Sequence, residues 1–201
     1  MPAKKKPVPY SRPRLSRSEG ELALMKAAYD LMCEKDVADV TTTDIAERAG
    51  LNRAHISRYF GTRSELLAAS VEHDFFEGIN RFVEARKSNP DLVYDLFGSE
   101  SERLRQRHKI VTYLISIGVP QSRFHESQKL LTERIAFFFS DNNLSPAMNR
   151  VLVQLSTFLM LSFQTYAELQ QATEEDRRNL YLIVALLAKY VEPLEKDLGW
   201  K

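Results

Sequence analysis

The sequence predicts an all-α chain of about nine helices, with a three-helix unit near the amino end and a larger helical domain behind it. Three observations predict it. Residues 40–67, VTTTDIAERAGLNRAHISRYFGTRSELL, hold three helix-start signals around a turn glycine. Downstream, apolar residues recur at three- and four-residue spacing, the pattern of helices with one buried side, and few stretches alternate as strands do. The chain also has only seven glycines in 201 residues, and its breaks fall in short polar clusters.

Residues 1–17, MPAKKKPVPYSRPRLSR, contain no acid, four prolines and basic residues at Lys4, Lys5, Lys6, Arg12, Arg14 and Arg17. Proline at this density resists helix, so an extended, flexible arm is expected. No apolar core follows the charges, so it does not read as a secretion signal. Such a leader can serve solubility alone. A wholly basic segment can also lie along the phosphates of a nucleic acid or enter a minor groove, here through Lys4, Lys5, Lys6, Arg12 and Arg14, and this reading is favoured if the rest of the chain binds DNA.

Residues 19–35 form an amphipathic segment whose Leu22, Met25, Ala28, Tyr29, Leu31 and Met32 suit packing across two short helices. Cys33 lies in it; a lone cysteine cannot form an internal disulfide, and a small buried hydrophobe is expected. Next, Thr41 stands three residues before Asp44 and Thr62 three before Glu65, so each threonine can cap backbone N–H groups while the acid reaches back. Asn52 can cap the helix between them. Gly50, in AGLN, is where the chain can turn through the left-handed conformation that a side chain would penalise. Ile45, Ala46 and Ala49 supply one apolar face, and Leu51, Ile56 and Phe60 the other. The opposite face of the second short helix carries Arg53, Ala54, His55, Ser57, Arg58 and Tyr59, which can donate to phosphates and base edges from the major groove. Capped helix pairs joined at a glycine also occur in proteins that bind no DNA. The amphipathic segment ahead and the helix opening at Ser64 favour the DNA reading.

Further helices are expected at 64–87, 91–97, 100–118, 121–140, 145–171 and 174–198, separated by SNPD, GSES, GVPQ, DNNLSP and QATEED. Pro90, Pro120 and Pro146 suit helix first turns, with Ser145 a cap. The helix at 64–87 belongs to both halves, so a movement at one end would be felt at the other.

From Leu22 to Val71 these residues resemble the tetracycline-repressor (TetR) family of bacterial transcription regulators. The matching features are Ala27, Ala28 and Leu31; Thr42, Thr43, Asp44, Ile45 and Ala46; the turn at Ala49, Gly50 and Leu51; Tyr59 and Phe60; and a basic residue before Glu65, Leu66 and Leu67. The resemblance implies a dimeric repressor with a DNA-binding domain at 18–66 after the arm at 1–17, and an effector-binding and dimerisation domain at 67–201. It also implies DNA contacts from Thr42 and Thr43, from Arg53, Ala54, His55, Ser57, Arg58 and Tyr59, and from Arg63. Two positions depart from the family pattern. Ser57 replaces a usual aromatic, and Arg63 a usual lysine.

The formal net charge is only +1. With a wholly basic leader the remainder must be mildly acidic, so affinity for DNA would be local. Stripes at 152, 155, 159 and beyond, and at 183, 187 and 191, suit a four-helix homodimer interface, with Leu152, Leu155, Leu159, Ile183, Leu187 and Val191 as candidates. The same stripes could instead fill the monomer core. Aromatics crowd the middle helices, and Phe137, Phe138 and Phe139 cannot all face one core. The resemblance implies an effector cavity there; Phe97, His108, Tyr113, Phe124, Gln128, Phe138, Phe158 and Phe163 are its candidates, suited to a small hydrophobic or aromatic ligand. A DNA-associated structural or protein-interaction regulator with a filled core is the alternative.

No phosphate loop, metal-spaced cluster or nucleophile elbow appears, so neither an enzyme nor a cofactor or metal is expected. No apolar run approaches membrane-spanning length, and a cytoplasmic, nucleoid-associated bacterial protein is expected.

Overall fold

The computed structural model describes residues 15–88, 101–139, 144–167 and 169–200. They form α1 (Arg17–Glu34), a 3-10 turn (Val37–Asp39), α2 (Thr42–Ala49), α3 (Ala54–Phe60), α4 (Arg63–Ser88), α5 (Ser101–Ser116), a second 3-10 turn (Gln121–Phe124), α6 (His125–Phe139), α7 (Pro146–Tyr166), α8 (Glu174–Tyr190) and α9 (Glu192–Asp197). Among the described residues the chain is helical with no strand, in keeping with the expected class. The expected helix at 91–97 lies outside the described residues.

Local chemistry accounts for the helix ends. α1 starts two residues earlier than expected, because Ser16 and Glu19 form a capping box: Ser16 Oγ accepts from Glu19 N–H and the carboxylate accepts from Ser16 N–H at 2.7 Å. Thr41 and Asp44 form the expected box on α2. At α4 only half of the expected box is made. Thr62 Oγ1 accepts from Glu65 N–H, but Thr62 N–H donates to the Phe60 carbonyl and the Glu65 carboxylate pairs with Arg123 at 3.3 Å. Gly50 takes φ 65°, and the N–H groups of Gly50 and Leu51 close back on the Glu47 and Ala46 carbonyls, which ends α2.

The expected single helix at 174–198 is two. Pro193 has no N–H and its ring would strike the carbonyl four residues back, so α8 stops at Tyr190 and proline takes the first turn of α9. α9 then returns to the body of the molecule, where the buried Glu195 carboxylate accepts from Ser145 N–H at 2.8 Å beside the start of α7.

One apolar cluster joins the two halves. Leu24, Leu31 and Met32 of α1 meet Ile45, Ile56, Leu66 and Leu67, and the same cluster includes Ile110 and Leu114 of α5 and Phe124. It therefore runs unbroken across the expected boundary at residue 66. Cys33 is exposed, correcting the expectation of a buried thiol: the inward stripe of α1 is Leu24, Ala27, Ala28, Leu31 and Met32, and position 33 is out of phase with it.

Candidate nucleic-acid interface

The core dictates which side of α3 faces outward. Ile56 is buried and Phe60 half-buried against the cluster, which leaves Arg53, Ala54, Ser57 and Arg58 exposed along the opposite edge. The N-cap of this helix is Arg53, with no side-chain cap bond; Asn52, the expected cap, stands one residue earlier, its Oδ1 accepting from Ala54 N–H at 2.8 Å. At the start of α2, Thr43 is exposed and Thr42 half-buried. Two cross-links hold α2 on α1: Arg48 grips Glu34 through two bonds of 2.8 and 2.6 Å, and Lys35 Nζ meets Asp44 Oδ2 at 2.6 Å. These pairs neutralise their own charges. No salt bridge is formed by Arg53 or Arg58 among the described residues, so two uncompensated positive charges sit on the outer edge of α3.

His55 and Tyr59 lie on a flank rather than on that edge. Their rings are 5.2 Å apart, the Arg17 guanidinium stands 5.7 Å over the Tyr59 ring, and both side chains are half-buried. Gly20 explains the fit, since a Cβ there would come within 3.2 Å of Tyr59 Cε2. Arg17 thus belongs beside α3, and Ser16 places the root of the basic arm at the reading helix. Lys4, Lys5, Lys6, Arg12 and Arg14 lie outside the described residues.

Arg63, expected on phosphate, faces inward. Its Nε donates to the Val40 carbonyl at 2.5 Å, its Nη2 to the carbonyls of Val37 and Ala38, and its Nη1 to the Tyr113 hydroxyl at 3.3 Å. The acceptors lie in the turn between α1 and α2 and on α5, positions that motif spacing cannot bring together.

The effector candidates separate. Phe124 is packed in the core, Tyr113 is engaged by Arg63, and Phe158 lies on the outer surface, 68% exposed. His108, Gln128 and Phe163 are half-buried, and burial followed by the neighbouring Arg107 charge pushes the His108 pKa down. Phe97 and the Phe138 side chain lie outside the described residues. Sequence reasoning missed Arg107. It is nine-tenths buried, with its guanidinium 4.3 Å from the centre of the Phe75 ring and Nη2 donating to Ser127 Oγ at 2.9 Å. Burial pushes its pKa down to about 10, which leaves it charged at neutral pH, and its Nε has no hydrogen-bond partner. Its spacing from Ile110 and Leu114 was the available signal, because it places an arginine in the buried phase of α5. Arg123, on the second 3-10 turn, bridges Glu65 and the buried Glu72 of α4.

The dimer candidates divide by helical phase. Leu155, Ile183 and Leu187 are exposed, whereas Leu152 and Val191 are only 3% and 7% exposed and are corrected to the monomer's interior; Leu159 is intermediate. The apolar side presented outward is Val151, Leu155, Phe158 and Tyr166 on α7, with Ile183, Leu186, Leu187 and Tyr190 on α8. Among the described residues no group of three His, Cys, Asp or Glu side chains could hold a metal, and no helix is long and apolar enough to cross a membrane.

Residues 24–70 match the model of the bacterial regulatory proteins of the tetR family. An HTH-type transcriptional repressor of Mycobacterium tuberculosis and an HTH-type transcriptional regulator of Mycobacterium bovis are each 37% identical over 57 residues, or 28% of this chain. The chain spans 30% of the length of either relative. A crystal structure of a TetR transcriptional regulator from Rhodococcus sp. RHA1 superposes with a TM-score of 0.59 at 17% identity, over 86% of this chain and 96% of that one. Residues 24–70 thus resemble the DNA-binding unit of the TetR family. The family match covers the three-helix unit from Leu24 onward, and the wider likeness to the Rhodococcus regulator is one of fold. The family match runs from Leu24 in α1 to Ser70 in α4, so it takes in the whole outer edge of α3.

Proposed function

We propose that this chain is a TetR-type, sequence-specific DNA-binding transcriptional regulator that grips its operator with α3. The observation that carries it is the outer edge of α3, where Arg53 and Arg58 stand exposed and unpaired on a helix whose other side is fixed in the core. A guanidinium there can fork onto guanine or clasp a phosphate, Ser57 can donate over a shorter reach, and Thr42 and Thr43 at the start of α2 can hold the backbone. Ala54 permits close approach. His55 and Tyr59 form the wall of the grip on the side where Arg17 and the basic arm begin.

The exposed apolar faces of α7 and α8 support a homodimer in which two helices from each copy pack together. Twofold pairing sets the reading helices for a palindromic site with half-sites roughly 34–36 Å apart. The arm would extend each half-site by engaging neighbouring phosphates. An effector that prefers one placement of α4 would alter the fit of the dimer to DNA. Arg107 favours an aromatic effector bearing an acid, because its Nε is buried without a partner beside Phe75. Phe124 and Tyr113, both engaged within the chain, favour instead a regulator with no small ligand. Thermal shift against aromatic acids separates the two, since a ligand at 100 times its dissociation constant adds about 2.7 kcal/mol.

Selection of duplexes from a random pool, followed by footprinting, tests the main reading. Arg53→Ala and Arg58→Ala should each weaken the selected site by about 1–3 kcal/mol and relax its sequence. A chain that enriches no duplex, or variants that bind as the parent does, would refute it.

A further inference from the structure

Arg63 begins α4, yet it makes no use of its position at the front of the molecule. An arginine carries five N–H donors in a planar fork. Four are engaged here, by the carbonyls of Val37, Ala38 and Val40 and by the Tyr113 hydroxyl, and the guanidinium carbon lies 5.9 Å from the Tyr113 ring centre. The three carbonyls belong to the short connector that leads into α2, and α2 carries α3. Tyr113 belongs to α5, beyond the three-helix unit. The side chain therefore ties three separate pieces together: the connector, the base of α4 and α5.

α5 holds the unit at two further points. Gln106 Nε2 donates to the Met32 carbonyl in the last turn of α1, and Arg103 pairs at 2.9 Å with Asp74 of α4, which also takes a hydrogen bond from Tyr29 of α1. Residues 103, 106 and 113 recur along one side of α5, so a shift of that helix changes all of these contacts together.

We propose that Arg63 and Tyr113 are positioning residues for DNA recognition: a latch that sets the angle of α3 through the α1–α2 connector and makes that angle depend on α5. The inference rests on the DNA-binding reading above. A latch of this kind needs the fork, because a lysine ammonium in place of the guanidinium could not reach carbonyls and hydroxyl in their separate directions. A phosphate contact needs only the charge.

The test uses the full chain and the duplex that it selects. Dissociation constants are measured over a salt series, and on duplexes with half-sites moved by one base pair, for the parent, Arg63→Lys, Tyr113→Phe and the double variant. Loss of a charge-assisted bond predicts that Arg63→Lys weakens binding by about tenfold. Tyr113→Phe should weaken it in the same direction, and the double variant should match Arg63→Lys within about twofold because one latch is broken once. The salt slope should stay that of the parent, and the variants should tolerate altered spacing better. Arg63→Lys binding like the parent, with Tyr113→Phe silent, would overturn the latch in favour of a phosphate contact. A thermal midpoint lowered with affinity and spacing preference of the folded protein unchanged would overturn it in favour of a fold-stabilising role. If Arg63→Lys does not fold, Tyr113→Phe, which keeps the ring, decides alone. A parent that selects no duplex sinks the DNA reading itself, a result distinct from all of these.

Discussion

At the start of α2 a single carboxylate, that of Asp44, accepts from Lys35 Nζ and from Thr41 N–H. The lysine bond, then the bonds from Thr41, hold its pKa down at about 2. An unfolded aspartate titrates near 3.9. The stabilisation is therefore fully present above about pH 4 and lost as pH falls through about 2. Asp44→Asn should lower the urea midpoint at pH 6, and the gap from the parent should close towards pH 2; a constant gap would contradict the linkage. Thr41→Ala should cost about 1 kcal/mol in the same measurement. This box was legible in the sequence because its two members are three residues apart. Arg63 was not, because its strongest acceptors are main-chain oxygens 23 and 26 positions earlier, and a carbonyl leaves no mark in the residue types.

The helices are delimited by a few residues with definite geometry. Gly50 sits at φ 65°, a region where a Cβ meets the following carbonyl. Gly50→Ala should cost about 1–2 kcal/mol by chemical unfolding, with Gly50→Asn closer to the parent. Glu195 acts over a greater distance, closing the start of α7 from the last helix of the chain. Glu195→Ala should cost about 1–3 kcal/mol, with the denaturant slope unchanged if the transition remains two-state. The glycine turn, the Ser145 cap and Pro146 could all be read from local sequence. The break at Val191 was missed because the apolar stripe of α8 carries on in phase past Pro193, and periodicity outweighed the one residue that cannot continue a helix.

At the scale of the molecule, the surface of the last helices follows from a choice between two helical phases. Both 151–155–158 and 152–155–159 are apolar at helical spacing, so the sequence alone leaves open which lies inside. The fold puts Leu152 in the interior and Phe158 outside. Phe158→Asp combined with Ile183→Asp should therefore yield a folded monomer by sedimentation, with operator affinity lowered at least tenfold if pairing supplies half the contacts. Leu152→Asp should instead unfold the chain, as burying an unpaired carboxylate does. Retained dimers in the surface variant would place the pairing face elsewhere. The arrangement of the core, continuous from α1 to α5, was equally hidden, since it depends on which helices meet rather than on the stripe that each one carries.

The grip of Arg63 on carbonyl oxygens has a consequence for how this chain can diverge. Ala38 and Asp39 are exposed while the carbonyls of Val37, Ala38 and Val40 are held, so genetic drift can exchange the side chains at 38 and 39 without the arginine registering it. Losing or gaining one codon between positions 37 and 40 is another matter. It would slide every acceptor out of register, and a deep mutational scan should show substitutions accepted at 38 and 39 where indels are purged.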